Sequence, residues 1–231
     1  MIALSIAGFD PTGEAGLLRD VSVFSSMGLT FHAVPTALTI QSTLKVFDTM
    51  PVPIEYIKIA LQKIDKRIDG VKIGMLYNKE VVRIVTDFLK GRRPIYVVLD
   101  PVIKSSSGYA LISQGGLKAL LDLLLPLSTF VTPNVEEGRI LTSEREPLKI
   151  ARRLHSLGAK NIVITGIDGK DDYFFDGEES TLIKGNPIDF SLHGSGCFYS
   201  SCLLGRLLLG DTPLKALKNT KRAIENLGGQ S

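Results

Sequence analysis

The sequence predicts an α/β fold: a three-layer α/β/α sandwich, with helices on both faces of a mostly parallel central sheet and a small β-hairpin in its C-terminal third. The first observation behind this is a set of short, apolar, β-rich runs at residues 2–7, 32–38, 70–75, 95–99, 129–132 and 161–165. The second is that longer amphipathic stretches, at 53–67, 79–89, 117–125 and 147–157, lie between them. Strands alternating with helices of this length form parallel sheets buried on both sides. The third is a change of pattern after Gly166, where runs 172–175 and 181–184 flank the turn-rich Asp176-Gly177-Glu178-Glu179. Two helices follow, at 195–209 and 213–227. Gly210-Asp211-Thr212 supplies the stop of one and the cap of the next, with Pro213 at a first helical position.

A chain of 231 residues, 44% of them hydrophobic, is long enough for one domain with a core that needs no disulfide or metal to hold it. A single domain over 1–231 is therefore expected. The formal charge of +3 comes from dispersed residues, which argues against nucleic acid as a partner. Residues 117–127 are broken by Asp122 and Pro126 and fall short of the ~20 apolar residues of a membrane span. The opening Met1-Ile2-Ala3-Leu4-Ser5-Ile6-Ala7-Gly8 reads as a buried strand without a basic leader, so a cytoplasmic location is expected. Two cysteines, at 197 and 202, and three histidines do not make a local zinc site.

Open sheets bind ligands beyond the carboxyl ends of their strands. The richest segment there is His193-Gly194-Ser195-Gly196-Cys197, ahead of an apolar helix. Its glycines and the helix start can offer amides to an anion such as a transferring phosphoryl group, and the same field favours a Cys197 thiolate able to take a proton from an alcohol. The same residues also suit a plain glycine-rich turn with a small buried side chain. In Thr132-Pro133-Asn134-Val135-Glu136-Glu137, Asn134 and Glu137 share a helix face and can order the waters of Mg²⁺, or can simply form a capping box. Asp100, ending a strand before Pro101, can face metal-bound phosphate or serve as a turn residue. Gly8 to Gly16 has neither the Rossmann spacing nor a P-loop Gly-Lys-Ser/Thr. It suits close approach of a small flat ligand to backbone, with Asp20 and Gln41 reading ring nitrogens and amines, unless Asp20 is a solvated helix position and Gln41 a loop residue. No Gly-x-Ser-x-Gly elbow is present for a hydrolase.

Six ordered segments resemble the hydroxymethylpyrimidine and hydroxymethylpyrimidine phosphate kinases of thiamine biosynthesis, a branch of the ribokinase superfamily. They are residues 7–16 with Asp20, Thr36-Ala37-Leu38-Thr39-Ile40-Gln41-Ser42-Thr43, Val71-Lys72-Ile73-Gly74-Met75-Leu76, Val97-Val98-Leu99-Asp100-Pro101-Val102, Thr132-Pro133-Asn134 and His193-Gly194-Ser195-Gly196-Cys197. The resemblance implies a ribokinase-like homodimer that uses ATP and Mg²⁺ to phosphorylate a pyrimidine hydroxymethyl group or its phosphate. By position, it implies a pyrimidine pocket at Gly8, Ala15, Asp20, Gln41 and Met75, and an anion hole at Gly194, Ser195, Gly196 and Cys197 with Cys197 as base. It also implies Mg²⁺ organised by Asn134 and Glu137 with Asp100 beside them, and nucleotide contacts at Thr165 and Gly166. Glu14 stands where relatives carry glycine; Ser106 and Thr165 stand where many carry lysine, with Lys104 nearby. A pyridoxal kinase and a catalytically idle pathway sensor are the competing expectations.

Overall fold

The computed structural model describes residues 1–64, 66–187 and 194–228. The first half runs β1 (Ile2–Phe9), α1 (Gly16–Ser26), β2 (Thr30–Gln41), β3 (Val46–Pro51), α2 (Ile54–Gln62), β4 (Gly70–Ile73), α3 (Lys79–Arg92) and β5 (Tyr96–Leu99). The second half runs α4 (Gln114–Ala119), β6 (Phe130–Val131), α5 (Val135–Thr142), α6 (Pro147–Ser156), β7 (Asn161–Ile167), β8 (Asp171–Phe175), β9 (Ser180–Ile183), α7 (Ser195–Leu208) and α8 (Pro213–Gly228). One sheet of order β3-β2-β1-β4-β5-β6-β7-β8-β9 holds every strand. Its central members, β2-β1-β4-β5-β6-β7, are parallel, and the outer strands β3, β8 and β9 pair antiparallel. The predicted hairpin is β8 with β9.

The two faces of the sheet are written in the strands at period two. Leu4 and Ile6, Val71 and Ile73, Val97 and Leu99, and Ile162 and Ile164 point into a core shared with α2 to α6. Ala3, Val98, Phe130 and Val163 point the other way, into a core with Phe24 of α1 and with Leu203, Leu204, Leu207 and Leu208 of α7. The parity places Ser5 and Lys72 on this second face, toward α1 and α7.

Three local features follow from sequence chemistry. The Asn78 side chain accepts the Val81 amide and so fixes the start of α3. The Ser113 side chain accepts the Gly116 amide, which starts α4 three residues earlier than the apolar pattern suggests. The helix then loosens through a π turn at Leu120–Leu124 and a 3₁₀ turn at Leu125–Leu127, where Pro126 offers no amide to an α ladder. Strand β3 was not predicted: its ladder is antiparallel to the outer half of β2, beyond the body of the sheet, and most of its residues are exposed. Helix α2 stops at Gln62, short of the predicted 67.

The chain leaves β1 for β2 on one side and passes from β3 to β4 on the other. The carboxyl ends of β1 and β4 therefore flank a topological switch point, the place where open α/β sheets take their ligands.

Leu124 is 0% exposed in the larger core. Leu124→Ala is expected to cost about 2–5 kcal/mol, read as a lowered denaturant midpoint with an unchanged slope.

Candidate active site

A cavity of about 690 Å³ opens at that switch point. Its inner wall is made by backbone. The Asp10 carboxylate accepts the amides of Thr12 and Ala15 and the Thr12 hydroxyl, which folds the loop after β1 back on itself until Phe9 and Gly16 bridge. Gly16 has φ +57°, and a Cβ there would run into the Gly8 carbonyl. Gly194, the cap of α7, has φ +79°, and a Cβ there would run into the Glu14 carbonyl. Side chains are excluded at both positions, so the start of α7, the start of α1 and the end of β1 touch through main chain alone. A Cβ on Gly8 would lie 2.7 Å from the Met75 sulfur, so Met75 fills the space that Gly8 leaves.

Residues Gly194, Ser195, Gly196 and Cys197 form one rim of this cavity, at a helix end whose first amides have no partner within the helix. His193 lies outside the described residues. The Cys197 sulfur lies close enough to the Gly16 amide and to Asp100 for each to act on its ionisation. Here the expectation of a helix-stabilised thiolate is corrected. Burial pushes the Cys197 thiol up to about 12; Lys72 and the Gly16 amide oppose this, while Asp100 and Asp20 add to it. The desolvation of a sulfur lodged between two helix starts outweighs the field of those starts.

Asp20 is 0% exposed, so it is not a solvated helix position, and it lies behind the residues that line the cavity. Its two oxygens accept the Ser5 hydroxyl at 2.5 Å and the Ser201 hydroxyl at 2.7 Å, and Lys72 Nζ pairs with it at 2.9 Å. Lys72 is itself fully buried and lies 3.9 Å from Asp100 Oδ2. Asp100, 4% exposed, reaches the cavity and accepts the Ser200 hydroxyl at 3.1 Å. Burial raises its ionisation above the usual carboxylate range, with Lys72 the largest opposing influence.

Of the two alternatives for Asn134 and Glu137, the structure shows the capping box. The capping box is present: the Asn134 side chain accepts the Glu137 amide at 2.9 Å and the Glu137 carboxylate accepts the Asn134 amide at 3.0 Å. Both residues also line the cavity. Burial and the neighbouring Asp100 push Glu137 up to about 8, against the amides of Asn134 and Ile103.

Gly8, Ala15, Gln41 and Met75 line one end of the cavity, and Thr165 and Gly166 the other. At the second end Gly166 donates its amide to Asp172, whose carboxylate pairs with Lys221 at 3.1 Å, both buried. Val46 of β3 and the segment 102–111 roof the cavity, tied by Val46 to Ser107 and by Tyr109 to Asp48. The cavity thus gathers every expected site residue except Asp20. Sequence reasoning gave no role to Lys72, Asp172 or Lys221; a lone lysine inside the buried strand Gly70–Ile73 was the one available signal.

This fold is shared with solved ribokinase-like kinases. The structure superposes on phosphomethylpyrimidine kinase from Clostridium difficile with a TM-score of 0.86 and 29% identity, covering 98% of this chain and 99% of that one. It superposes on Bacillus subtilis pyridoxal kinase in an ADP complex with a TM-score of 0.85 and 28% identity, covering 96% and 89%. The sequence narrows the class. The chain is 40% identical over 236 residues to the hydroxymethylpyrimidine/phosphomethylpyrimidine kinase of Aquifex aeolicus, covering 97% of this chain and 92% of that protein. Residues 10–228 match the phosphomethylpyrimidine kinase family, and the chain belongs to it.

With its thiol pushed up to about 12, Cys197 is protonated at neutral pH. Its alkylation by iodoacetamide in the ligand-free protein should be slow near pH 7 and rise about tenfold per pH unit toward pH 10. A plateau reached between about pH 6 and 8 would contradict this, and the buried Cys202 serves as the internal control.

Proposed function

We propose that this chain transfers the γ-phosphoryl group of ATP to the hydroxymethyl oxygen of 4-amino-5-hydroxymethyl-2-methylpyrimidine, and then to the phosphate of the monophosphate, giving the diphosphate for thiamine biosynthesis. The observation that carries this reading is that the start of α7, with Cys197 against Asp100, opens into the same cavity as Gly8, Gln41 and Met75. Gln41 carries both an amide donor and an acceptor for a ring nitrogen and its neighbouring amine, while Gly8, Ala15 and Met75 offer a flat, close wall. The amides of Gly194, Ser195, Gly196 and Cys197 face the phosphoryl group in flight, and Thr165 and Gly166 face the nucleotide. For the alcohol acceptor, Cys197 takes the hydroxyl proton as its own proton passes to Asp100, which borders the same cavity. A phosphate acceptor is already an anion and needs no such transfer.

Magnesium fits the residues near Asn134 and Glu137. Glu137 is a half-buried carboxylate whose ionisation is opposed by burial and by Asp100, an environment that a cation relieves. No group of three or more His, Cys, Asp or Glu forms a metal cage among the described residues, which suits an ion that keeps most of its water and leans on substrate phosphates. When bound, Mg²⁺ neutralises charge on the nucleotide phosphates. For the homodimer that the resemblance implies, β2 and β3 offer an apolar face: Leu38, Ile40, Phe47 and Met50 are all exposed. No helix among the described residues is long and apolar enough to cross a membrane.

The likeness to B. subtilis pyridoxal kinase keeps one second reading, that the ring is pyridoxal. ADP release measured with hydroxymethylpyrimidine, its monophosphate and pyridoxal separates them. Both pyrimidines should exceed pyridoxal; no ADP above background with either pyrimidine overturns the proposal. Cys197→Ala should lower turnover of the alcohol by about 10²-fold or more and that of the monophosphate by less than about tenfold; equal losses remove the base role. Glu137→Gln can keep the cap, because its amide oxygen still accepts from Asn134. It should leave the unfolding midpoint near wild type while raising the Mg²⁺ needed for half-maximal rate by about tenfold; an unchanged Mg²⁺ requirement rejects the metal role.

A further inference from the structure

Lys72 is a fully buried ammonium with two carboxylates in reach and no path to solvent. Asp20 holds it at 2.9 and 3.0 Å, and Asp20 is in turn held by Ser5 from β1 and Ser201 from α7. The space above the ammonium is closed as well: a Cβ on Gly74 would lie 3.0 Å from Nζ. A lysine and aspartate sealed in this way contribute little to stability that apolar side chains of equal volume would not, because both charges must first be stripped of water. The pair has a second neighbour, and it is a group of the site. Asp100 Oδ2 lies 3.9 Å from Nζ, accepts Ser200, and belongs to the carboxylate that meets the Cys197 thiol.

We propose that Lys72 is a positioning residue of the phosphoryl transfer: anchored by Asp20 behind the cavity wall, its ammonium holds the Asp100 carboxylate against Ser200 and the Cys197 thiol, and so supports turnover of the alcohol more than turnover of the phosphate acceptor. In the alcohol reaction the acceptor O–H bond breaks as the new O–P bond forms and the bridging O–P bond of ATP breaks, ADP leaving with that electron pair. The hydroxyl proton goes to the Cys197 sulfur, whose own proton goes to Asp100. Asp100 then carries no charge until it gives that proton up to solvent through the cavity it borders, and Lys72 keeps the carboxyl in place meanwhile. Among the causes that shift Asp100, Lys72 is the largest of those favouring its charged form. The phosphate acceptor skips this relay and is insensitive to it.

The inference rests on the kinase reading above, and the wild-type assay separates the two: absence of ADP with wild-type protein defeats that reading, whereas the inference is decided by variants of an active enzyme. Lys72→Met combined with Asp20→Asn removes both charges at similar volume. In the double variant, with an unfolding midpoint near wild type, kcat on the alcohol should fall at least tenfold with KM within threefold, while kcat on the monophosphate falls less than threefold. Wild-type kcat on the alcohol, or equal losses on both acceptors, overturns the proposal and leaves Lys72 a counter-ion of Asp20 only. Should the double variant not fold, Gly74→Ala keeps every charge and displaces the ammonium, since its Cβ meets Nζ at 3.0 Å and the Ala7 Cβ at 3.1 Å. It should show the same split in smaller measure, and equal losses there again overturn the proposal.

Discussion

Main chain packed on main chain holds this site together. Where Gly194 meets the Glu14 carbonyl and Gly16 meets the Gly8 carbonyl, the loop between β1 and α1 and the distant start of α7 are brought to a separation that no side chain permits. Two helix starts, those of α1 and α7, then point into one small volume, and the Cys197 sulfur lies between them, close to the Gly16 amide. Anion binding at such a place follows from the geometry of orphan amides, not from any basic side chain. Hydrogen bonds donated by the amides of Thr12 and Ala15 to the Asp10 carboxylate hold the loop in that shape.

Around this backbone core the charges are arranged by strand parity. Ser5 on β1, Lys72 on β4 and Asp100 just past β5 lie on successive neighbours of the sheet and face α1 and α7. Asp20, Ser200 and Ser201 meet them from those helices. One ammonium serves two carboxylates, and only Asp100 of these groups touches the cavity. Asp20 is saturated and stays as it is. Asp100 keeps one serine and the more distant reach of Lys72, and it borders the cavity.

Much of the fold was legible because buried parallel strands are short apolar runs and the helices between them are long. The same logic hid β3: Val46 to Pro51 is mostly exposed, borders Pro51-Val52-Pro53 and pairs outside the body of the sheet, so no apolar run marks it. The positions of Cys197, Asp100, Asn134 and Glu137 were readable from strand tips and helix starts. The pairing of Asp20 with Lys72 was not readable, because helical spacing says where a residue lies along a helix and not which carboxylate will find a buried ammonium across the sheet. The state of Cys197 was misread for a related reason. Helix field is a local property, but desolvation is set by everything packed around the sulfur, and here desolvation wins. Lys72 stood in a quoted motif, yet only the three-dimensional partners give its charge a purpose.

The cavity joins two kinds of material. Its lower wall is continuous with the parallel sheet, whereas its cover hangs from the antiparallel strand β3 and the segment 102–111. These are tied together by Val46 to Ser107 and by the exposed Tyr109 to Asp48 bond. Bonds of that sort contribute about 1 kcal/mol each, so the two halves of the cover can part from each other at a small fraction of the free energy needed to disturb the sheet. Amide protons in this outer flap would therefore exchange with solvent well before those of β1 or β4, and a molecule the size of a pyrimidine could come and go without the catalytic wall changing shape.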